Sequence, residues 1–152
     1  MAQAWDPVLA EGLIAEHLDQ QAPVLPILHA IQDAFGCVPP QAVALVARAL
    51  NISRAEAHGV VSFYHDFRDA PAGRRVVKVC RAESCQARGG EAAARFLLAA
   101  LGLDWGGTTA DGAVTVEAVY CLGLCAVSPA ALVDGEPLGR IDGVSLVEAA
   151  RA

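Results

Sequence analysis

Five cysteines carry the most reactive chemistry in this 152-residue chain, and four of them fall into two close pairs. Cys80 and Cys85 have four residues between them, Cys121 and Cys125 have three, and thirty-five residues separate the pairs. The total is odd, and the opening residues carry no basic stretch and meet acids at Asp6 and Glu11. The start therefore does not read as a secretory signal, and a disulfide framework is not the expectation. Four thiolates offered by two loops suit either a tetrahedral zinc or an iron–sulfur cluster. A [2Fe–2S] cluster asks for two protein sulfurs at each iron, and a two-plus-two set meets that need. Zinc knuckles more often use C-x2-C, so these gaps are wide for zinc, which stays open as a second reading. Four buried, unreactive thiols are the third. Plant-type ferredoxin spacing fails because no cysteine closely follows Cys85, and Rieske ligation fails because neither loop holds a histidine. A C-x-x-C motif for disulfide exchange is absent.

The residues around the pairs favour the cluster. Gly123 sits between two of the sulfurs, where backbone can approach inorganic sulfide closely. Ser84, Ser128 and nearby amide N–H groups can donate to sulfur, which stabilises a negatively charged cluster and tunes its potential. A helix beginning near Gly89 would turn its positive end to the same region. Cys37 stands apart from both pairs and reads as a non-ligand.

The positioning elements follow from pattern. Arg74–Val79 is a short β-branched run leading into Cys80, and Val114–Tyr120 alternates and leads into Cys121, so each pair follows a strand. A helix over Glu91–Leu101 lies between them. A third strand is predicted at Ala130–Val133, turning at Asp134-Gly135, with a short fourth at Leu138–Ile141 and a last helix capped by Asp142. If the first two strands are parallel neighbours, both loops emerge at one edge and the sulfurs converge. The first half is helical. Asp6-Pro7 caps a helix predicted to run to about Gln21 with Leu9, Leu13, Ile14 and Leu18 on one face. A second runs from Pro23 or Pro26 to Gly36, a third over Gln41–Leu50, and Ser53-Arg-Ala-Glu56 has the capping-box spacing for a fourth. His29, His58 and His65 show no ligand spacing and read as packing or surface residues. The expected fold class is α+β or α/β. A small helical bundle occupies residues 1–70, and a domain with a small mixed sheet occupies residues 71–152, divided at Asp69–Gly73.

Composition narrows the function. Eleven basic residues against seventeen acidic ones give a net charge of −6, and Lys78 is the only lysine. That charge balance excludes the basic footprint of a nucleic-acid-binding domain and a polybasic membrane segment. No apolar run approaches the length of a membrane span. The chain reads as soluble and cytoplasmic. No glycine-rich dinucleotide fingerprint or phosphate loop is present, and no Ser-His-Asp or Cys-His set is recognisable, so no residue is assigned a catalytic role.

Several stretches resemble the thioredoxin-like [2Fe–2S] subunit family of NADH dehydrogenases, the 24 kDa subunit family of respiratory complex I. They are Ile31-Gln-Asp-Ala-Phe-Gly36 with Val38-Pro39, Gly59-Val-Val-Ser-Phe-Tyr64, Cys80-x4-Cys85, and Cys121-Leu-Gly-x-Cys125-x3-Pro129. The similarity runs from about Pro23 to Ile141. It implies a thioredoxin-like ferredoxin domain in the second half and Cys80, Cys85, Cys121 and Cys125 as ligands of one [2Fe–2S] cluster. Cys37 stands where many relatives have an aromatic residue. Arg81-Ala-Glu-Ser84 replaces a frequent Gly-Thr, and Ser128 a usual Gly or Ala.

Val79-Cys-Arg-Ala-Glu-Ser-Cys85-Gln and Ser62-Phe-Tyr-His-Asp-Phe67 most resemble the gamma subunits of NAD-dependent formate dehydrogenases. The implied role is that of an electron-transfer subunit, trading electrons with the FMN of a flavoprotein subunit that binds NAD. FMN, NAD and a molybdenum cofactor would be carried only by partners, the last on a larger formate-oxidising subunit. The helical half and one face of the second half would make the contacts. The equivalent subunit of an NADH:quinone oxidoreductase or an NAD-linked hydrogenase is the alternative. A zinc-stapled interaction module and a stand-alone ferredoxin are alternatives of other kinds.

Overall fold

A computed structural model of the chain describes residues 3–152, so the first two residues of the expected helical domain lie outside the description. Two compact units result, one ending at Pro71 and the other spanning Ala72–Ala152. Among the described residues there are seven α-helices and one four-stranded mixed sheet, in keeping with the expected fold class.

The first unit holds α1 (Pro7–Ala15), α2 (Val24–Phe35), α3 (Pro40–Ala49) and α4 (Arg54–Phe63). Their apolar faces meet in a core of Ile27, Leu28, Ile31, Phe35, Val46 and Ala57. Gly36 closes α2 in the left-handed conformation at φ 76°, where a side chain would be strained. Gln32 uses both ends of its amide on the segment that leaves α4. Its Nε2 donates to the Asp66 carbonyl, and its Oε1 accepts from the Arg68 N–H, each at 2.7 Å. The His29 ring packs against Phe67. α1 stops at Ala15, well short of Gln21. The last buried apolar residue is Ile14, and Leu18, expected on the buried face, is 40% exposed, so nothing repays a further turn.

The second unit orders its strands β2–β1–β3–β4, from β1 (Arg75–Cys80), β2 (Val114–Val119), β3 (Ala130–Val133) and β4 (Glu136–Gly139). β1 and β2 are parallel, in a register that sets Arg75 beside Val114 and Cys80 beside Val119. β3 runs antiparallel to β1, and β4 antiparallel to β3. Val77, Val79 and Val116 join Ala94 and Leu97 of α6 (Gly90–Leu101) and Leu146 and Ala150 of α7 (Gly143–Arg151) in the main core.

Two details of this second unit also differ from expectation. β4 begins at Glu136 rather than Leu138, because Asp134 and Gly135 both have positive φ, the two-residue hairpin geometry that resumes pairing at once. Pro137 is tolerated there because β4 is an edge strand. A five-residue helix, α5 (Glu83–Ala87), also fills the loop of the first cysteine pair, where the sequence pattern points to no element. No helix among the described residues is long and apolar enough to cross a membrane.

The Ser53 capping box yields a pH-dependent prediction. The Glu56 carboxylate accepts from the Ser53 N–H at 2.8 Å, and Ser53 Oγ accepts from the Glu56 N–H at 3.1 Å. The Ser53 backbone bond, then the Ser53 side-chain bond, hold the Glu56 pKa below its ordinary value. A carboxylate depressed in the folded state stabilises above its unfolded pKa, about 4.3, and loses that contribution as pH falls through the folded one. Ser53→Ala should cost about 1 kcal/mol at neutral pH by denaturant unfolding. The stability gap between the natural protein and Glu56→Ala should be wider at pH 7 than at pH 3. A gap that grows on acidification would refute the assignment.

Candidate metal centre

Cys80 is the last residue of β1, and Cys121 lies two residues past the end of β2. Because those strands are parallel neighbours, their ends share one edge of the sheet, and the two loops emerge there together. Cys85 sits on α5. Cys125 opens a short 3₁₀ turn, Cys125–Val127, which leads back into β3. The four thiols differ in environment. Cys80 and Cys85 are buried, at 4% and 2% exposure, while Cys121 and Cys125 are exposed. A small cluster of Cys80, Cys85 and Ala130 packs with Ala82, Val119, Leu122 and Leu124, distinct from the main sheet core.

The loops converge on sulfur. Burial pushes the Cys80 thiol up, but hydrogen bonds from the Ala82 N–H, the Cys85 thiol, and the Leu122 and Cys121 N–H groups outweigh it. Its pKa falls below the ordinary thiol value. Two of those donors come from the second loop, so Cys80 is where both loops meet. Cys85 moves the other way. Burial raises its pKa, and so does the hydrogen bond it donates to Cys80; the Ala130 N–H opposes them, and charge on Cys80 and Cys125 adds to the rise. Gly123 donates its N–H to Cys121 Sγ at 3.3 Å. Gly123 has φ 75°, and an added Cβ there would meet nothing within 4 Å, so the backbone between the second pair faces open space. Cys121 itself has φ 108°, a strained value for a residue with a side chain.

Among the described residues no group of three or more His, Cys, Asp or Glu side chains is drawn together closely enough to hold a metal ion. The donor set is four thiols on two converging loops, with amide protons already aimed at sulfur. A [2Fe–2S] cluster, which takes protein sulfurs two at each iron, fits those residues. Cys37 is buried in the helical unit, and burial, then the nearby Asp69 carboxylate, push its thiol up, as suits an inert thiol.

Three features of the site go beyond the sequence reading. The Arg81 guanidinium lies 4.9 Å from the Trp105 ring centre and 3.3 Å from the Glu91 carboxylate, tying the start of the first loop to α6. Gly90, the first residue of α6, presses on that loop, for an added Cβ would sit 2.7 Å from the Cys85 carbonyl oxygen. Ser84 and Ser128, read from the sequence as donors to sulfur, bond each other across the two loops. The Gly89-Gly90 doublet is a visible signal for the close approach. Nothing in the spacing points to the Arg81–Trp105 or Ser84–Ser128 contacts.

Residues 10–151 match the family described as thioredoxin-like [2Fe-2S] ferredoxin. A subunit of the NADH-quinone oxidoreductase of Pseudomonas aeruginosa is 35% identical over 134 residues, covering 86% of this chain and 81% of that one. The HndA subunit of the NADP-reducing hydrogenase of Solidesulfovibrio fructosivorans is 30% identical over 115 residues, covering 76% of this chain and 67% of that one. In the crystal structure of an NAD+-reducing [NiFe]-hydrogenase in the air-oxidized state, one chain superposes with a TM-score of 0.70 at 28% identity. The match covers 84% of this chain and 22% of the hydrogenase chain, so this chain spans about a fifth of that one.

Gly90 tests how the site is built. Gly90→Ala should cost about 1–3 kcal/mol through overpacking. It should also make Cys85 of the reduced, metal-free protein react faster with a thiol reagent. Gly59→Ala on α4, where an added Cβ meets nothing within 4 Å, should leave that rate unchanged. Equal labelling of Cys85 in all three proteins would show that Gly90 does not set its position.

Proposed function

The chain belongs to the thioredoxin-like [2Fe-2S] ferredoxin family, and from that premise we propose that it is an electron-transfer subunit holding one cluster through Cys80, Cys85, Cys121 and Cys125. The parallel pairing of β1 with β2, which brings both thiol pairs to one edge, carries the reading. Residues 71–152 are the cluster domain in this reading, and residues 1–70 a separate helical domain. When bound, the cluster accepts and returns one electron at a time.

The chain's residues bind and insulate. Cys80 and Cys85 form the buried side, where water is kept from sulfur. The N–H groups of Ala82, Cys121, Leu122 and Ala130 favour negative charge on those two sulfurs. Cys121 and Cys125 form the open side, beside Tyr120 at 73% exposure, and a partner's redox group would approach there.

Relatives named for NADH-quinone oxidoreductase and NADP-reducing hydrogenase support a place in an NAD-linked, multisubunit oxidoreductase. The finer reading is an NAD-dependent formate dehydrogenase. In it, a flavoprotein subunit carries FMN and binds NAD, and a larger molybdenum subunit oxidises formate, all in the cytoplasm. The resemblance of Val79–Gln86 and Ser62–Phe67 to the gamma subunits of such enzymes supports it. The equivalent subunit of a quinone oxidoreductase or a hydrogenase is the alternative complex.

Iron, acid-labile sulfide and zinc counted in one sample test the cluster. About two irons and two sulfides per chain are expected, with a coloured protein; stoichiometric zinc in a colourless protein would overturn the reading. Cys121→Ala should lose the reduced-state paramagnetic signal and destabilise the second unit, because metal binding couples to folding. Cys37→Ser should keep its full iron content. Affinity capture with the cluster loaded should recover a flavoprotein at fixed stoichiometry. Cluster reduction by formate in the captured complex would establish the finer reading, and reduction by NADH or hydrogen but not formate would replace it.

A further inference from the structure

Ser84 and Ser128 have no part in the ligand set, yet their Oγ atoms lie 3.0 Å apart. Each belongs to a different cysteine loop. Ser84 is on α5, one residue before Cys85, and Ser128 follows the turn that begins at Cys125. Ser128 is 7% exposed, one of the few buried polar residues among those described. The neighbouring contact has the same direction, since the Ala130 N–H donates to the Cys85 sulfur. Residues 84 and 85 of one loop thus grip residues 128 and 130 of the other.

Both sides of this grip are rooted in the fold. On the first, the Gln86 N–H donates to the Ala82 carbonyl at 3.0 Å, and Gly90 presses on the Cys85 backbone. On the second, the Val127 N–H donates to the Leu124 carbonyl at 3.0 Å, and the Arg140 N–H to the Val127 carbonyl at 2.6 Å. A Cβ added at Gly139 would fall 2.7 Å from the Val127 Cβ, so Val127 has no room to move toward β4. A hydrogen bond between two anchored segments fixes their separation, whereas one between mobile segments does not.

We propose that Ser84 and Ser128 are a pair of positioning residues, a hydroxyl clamp that sets the spacing of the Cys80–Cys85 loop from the Cys121–Cys125 loop, and with it the lifetime and potential of the cluster. The proposal rests on the cluster reading above. Four thiolates can hold two irons only while the loops keep one separation, and the first step of cluster loss is one loop drawing away from the other. The clamp opposes that step. Amide N–H groups that cross between the segments, from Cys121 and Leu122 to the Cys80 sulfur and from Ala130 to the Cys85 sulfur, favour the more negative, reduced cluster, so letting the loops part weakens those bonds and lowers the potential.

The test uses the cluster-loaded full chain, with Ser84→Ala, Ser128→Ala, the double variant and Ser84→Thr. Each alanine variant should release iron to a chelator roughly fivefold faster, the fold-change of one ordinary hydrogen bond. Both should shift the midpoint potential in the same, negative direction. The double variant should be no worse than either single one, because both remove the same bond. Ser84→Thr, which keeps the hydroxyl, should restore the natural release rate and potential. Additive effects in the double variant would overturn the clamp. An unchanged potential, with release faster only in step with lost thermal stability, would overturn it too. Natural protein that takes up no iron and sulfide would sink the cluster reading and the clamp with it. Natural protein that loads normally, with serine variants indistinguishable from it, would sink the clamp alone.

Discussion

The parallel pairing of β1 with β2 is the constraint on which the rest of the site depends. Parallel neighbours cannot be joined by a tight turn, so the chain must cross back over the sheet between them. Here α5 and α6 make that crossing, between Cys80 and Val114. The crossing separates the cysteine pairs by thirty-five residues in sequence while returning them to the same edge in space. An antiparallel pairing of the same two strands would have sent the loops to opposite edges. The register matters as much as the direction. Cys80 beside Val119 places the end of β1 level with the residues just before Cys121, so amides of the second loop reach the first loop's sulfur.

A second consequence is the asymmetry of the thiols. The pair nearest β1 lies on α5 and at the strand end, and is buried. The pair after β2 lies on a loop with little above it and is exposed. One face of the site is therefore insulated by the fold, and the other is open to solvent. Two opposed influences act on the buried pair. Desolvation disfavours a buried thiolate, and amide hydrogen bonds favour it; the bonds prevail at Cys80, and desolvation prevails at Cys85. The order follows from donor count. Cys80 accepts from three backbone N–H groups and a thiol, whereas Cys85 accepts from one N–H and donates its own proton away.

Much of this is legible in the residues. The strands before Cys80 and Cys121, the strand at Ala130–Val133, the Ser53 and Asp142 caps and the Gly36 stop each rest on a local rule, and local rules survive folding. The differences have physical reasons. The pattern extends α1 too far because Leu18 fits the helical spacing, but spacing alone does not bury a residue. It starts β4 two residues late because hydropathy does not register how an Asp-Gly turn restores pairing at the very next residue. α5 leaves no signal because five residues are too few to show a period. The pairings of Ser84 with Ser128 and of Arg81 with Trp105 are long-range, forty-four residues apart in the first case. Side chains that meet only after the sheet has formed leave no mark on either stretch of sequence.

The distribution of apolar packing explains why such contacts matter at this end of the molecule. The helical unit has its own core around Ile27 and Ile31, and the sheet has another around Val77, Val79 and Leu97. The core at the cysteine end holds only Cys80, Cys85 and Ala130 as buried members, with four partly buried neighbours around them. So small a group buries too little apolar surface to order two loops against their conformational entropy. Order there must come from directed bonds: amides on sulfur, a guanidinium on an indole, and one hydroxyl on another. The loops are accordingly placed by the fold and tightened by their own polar contacts, and under the proposed function metal binding would complete an end of the sheet that hydrophobic packing leaves unfinished.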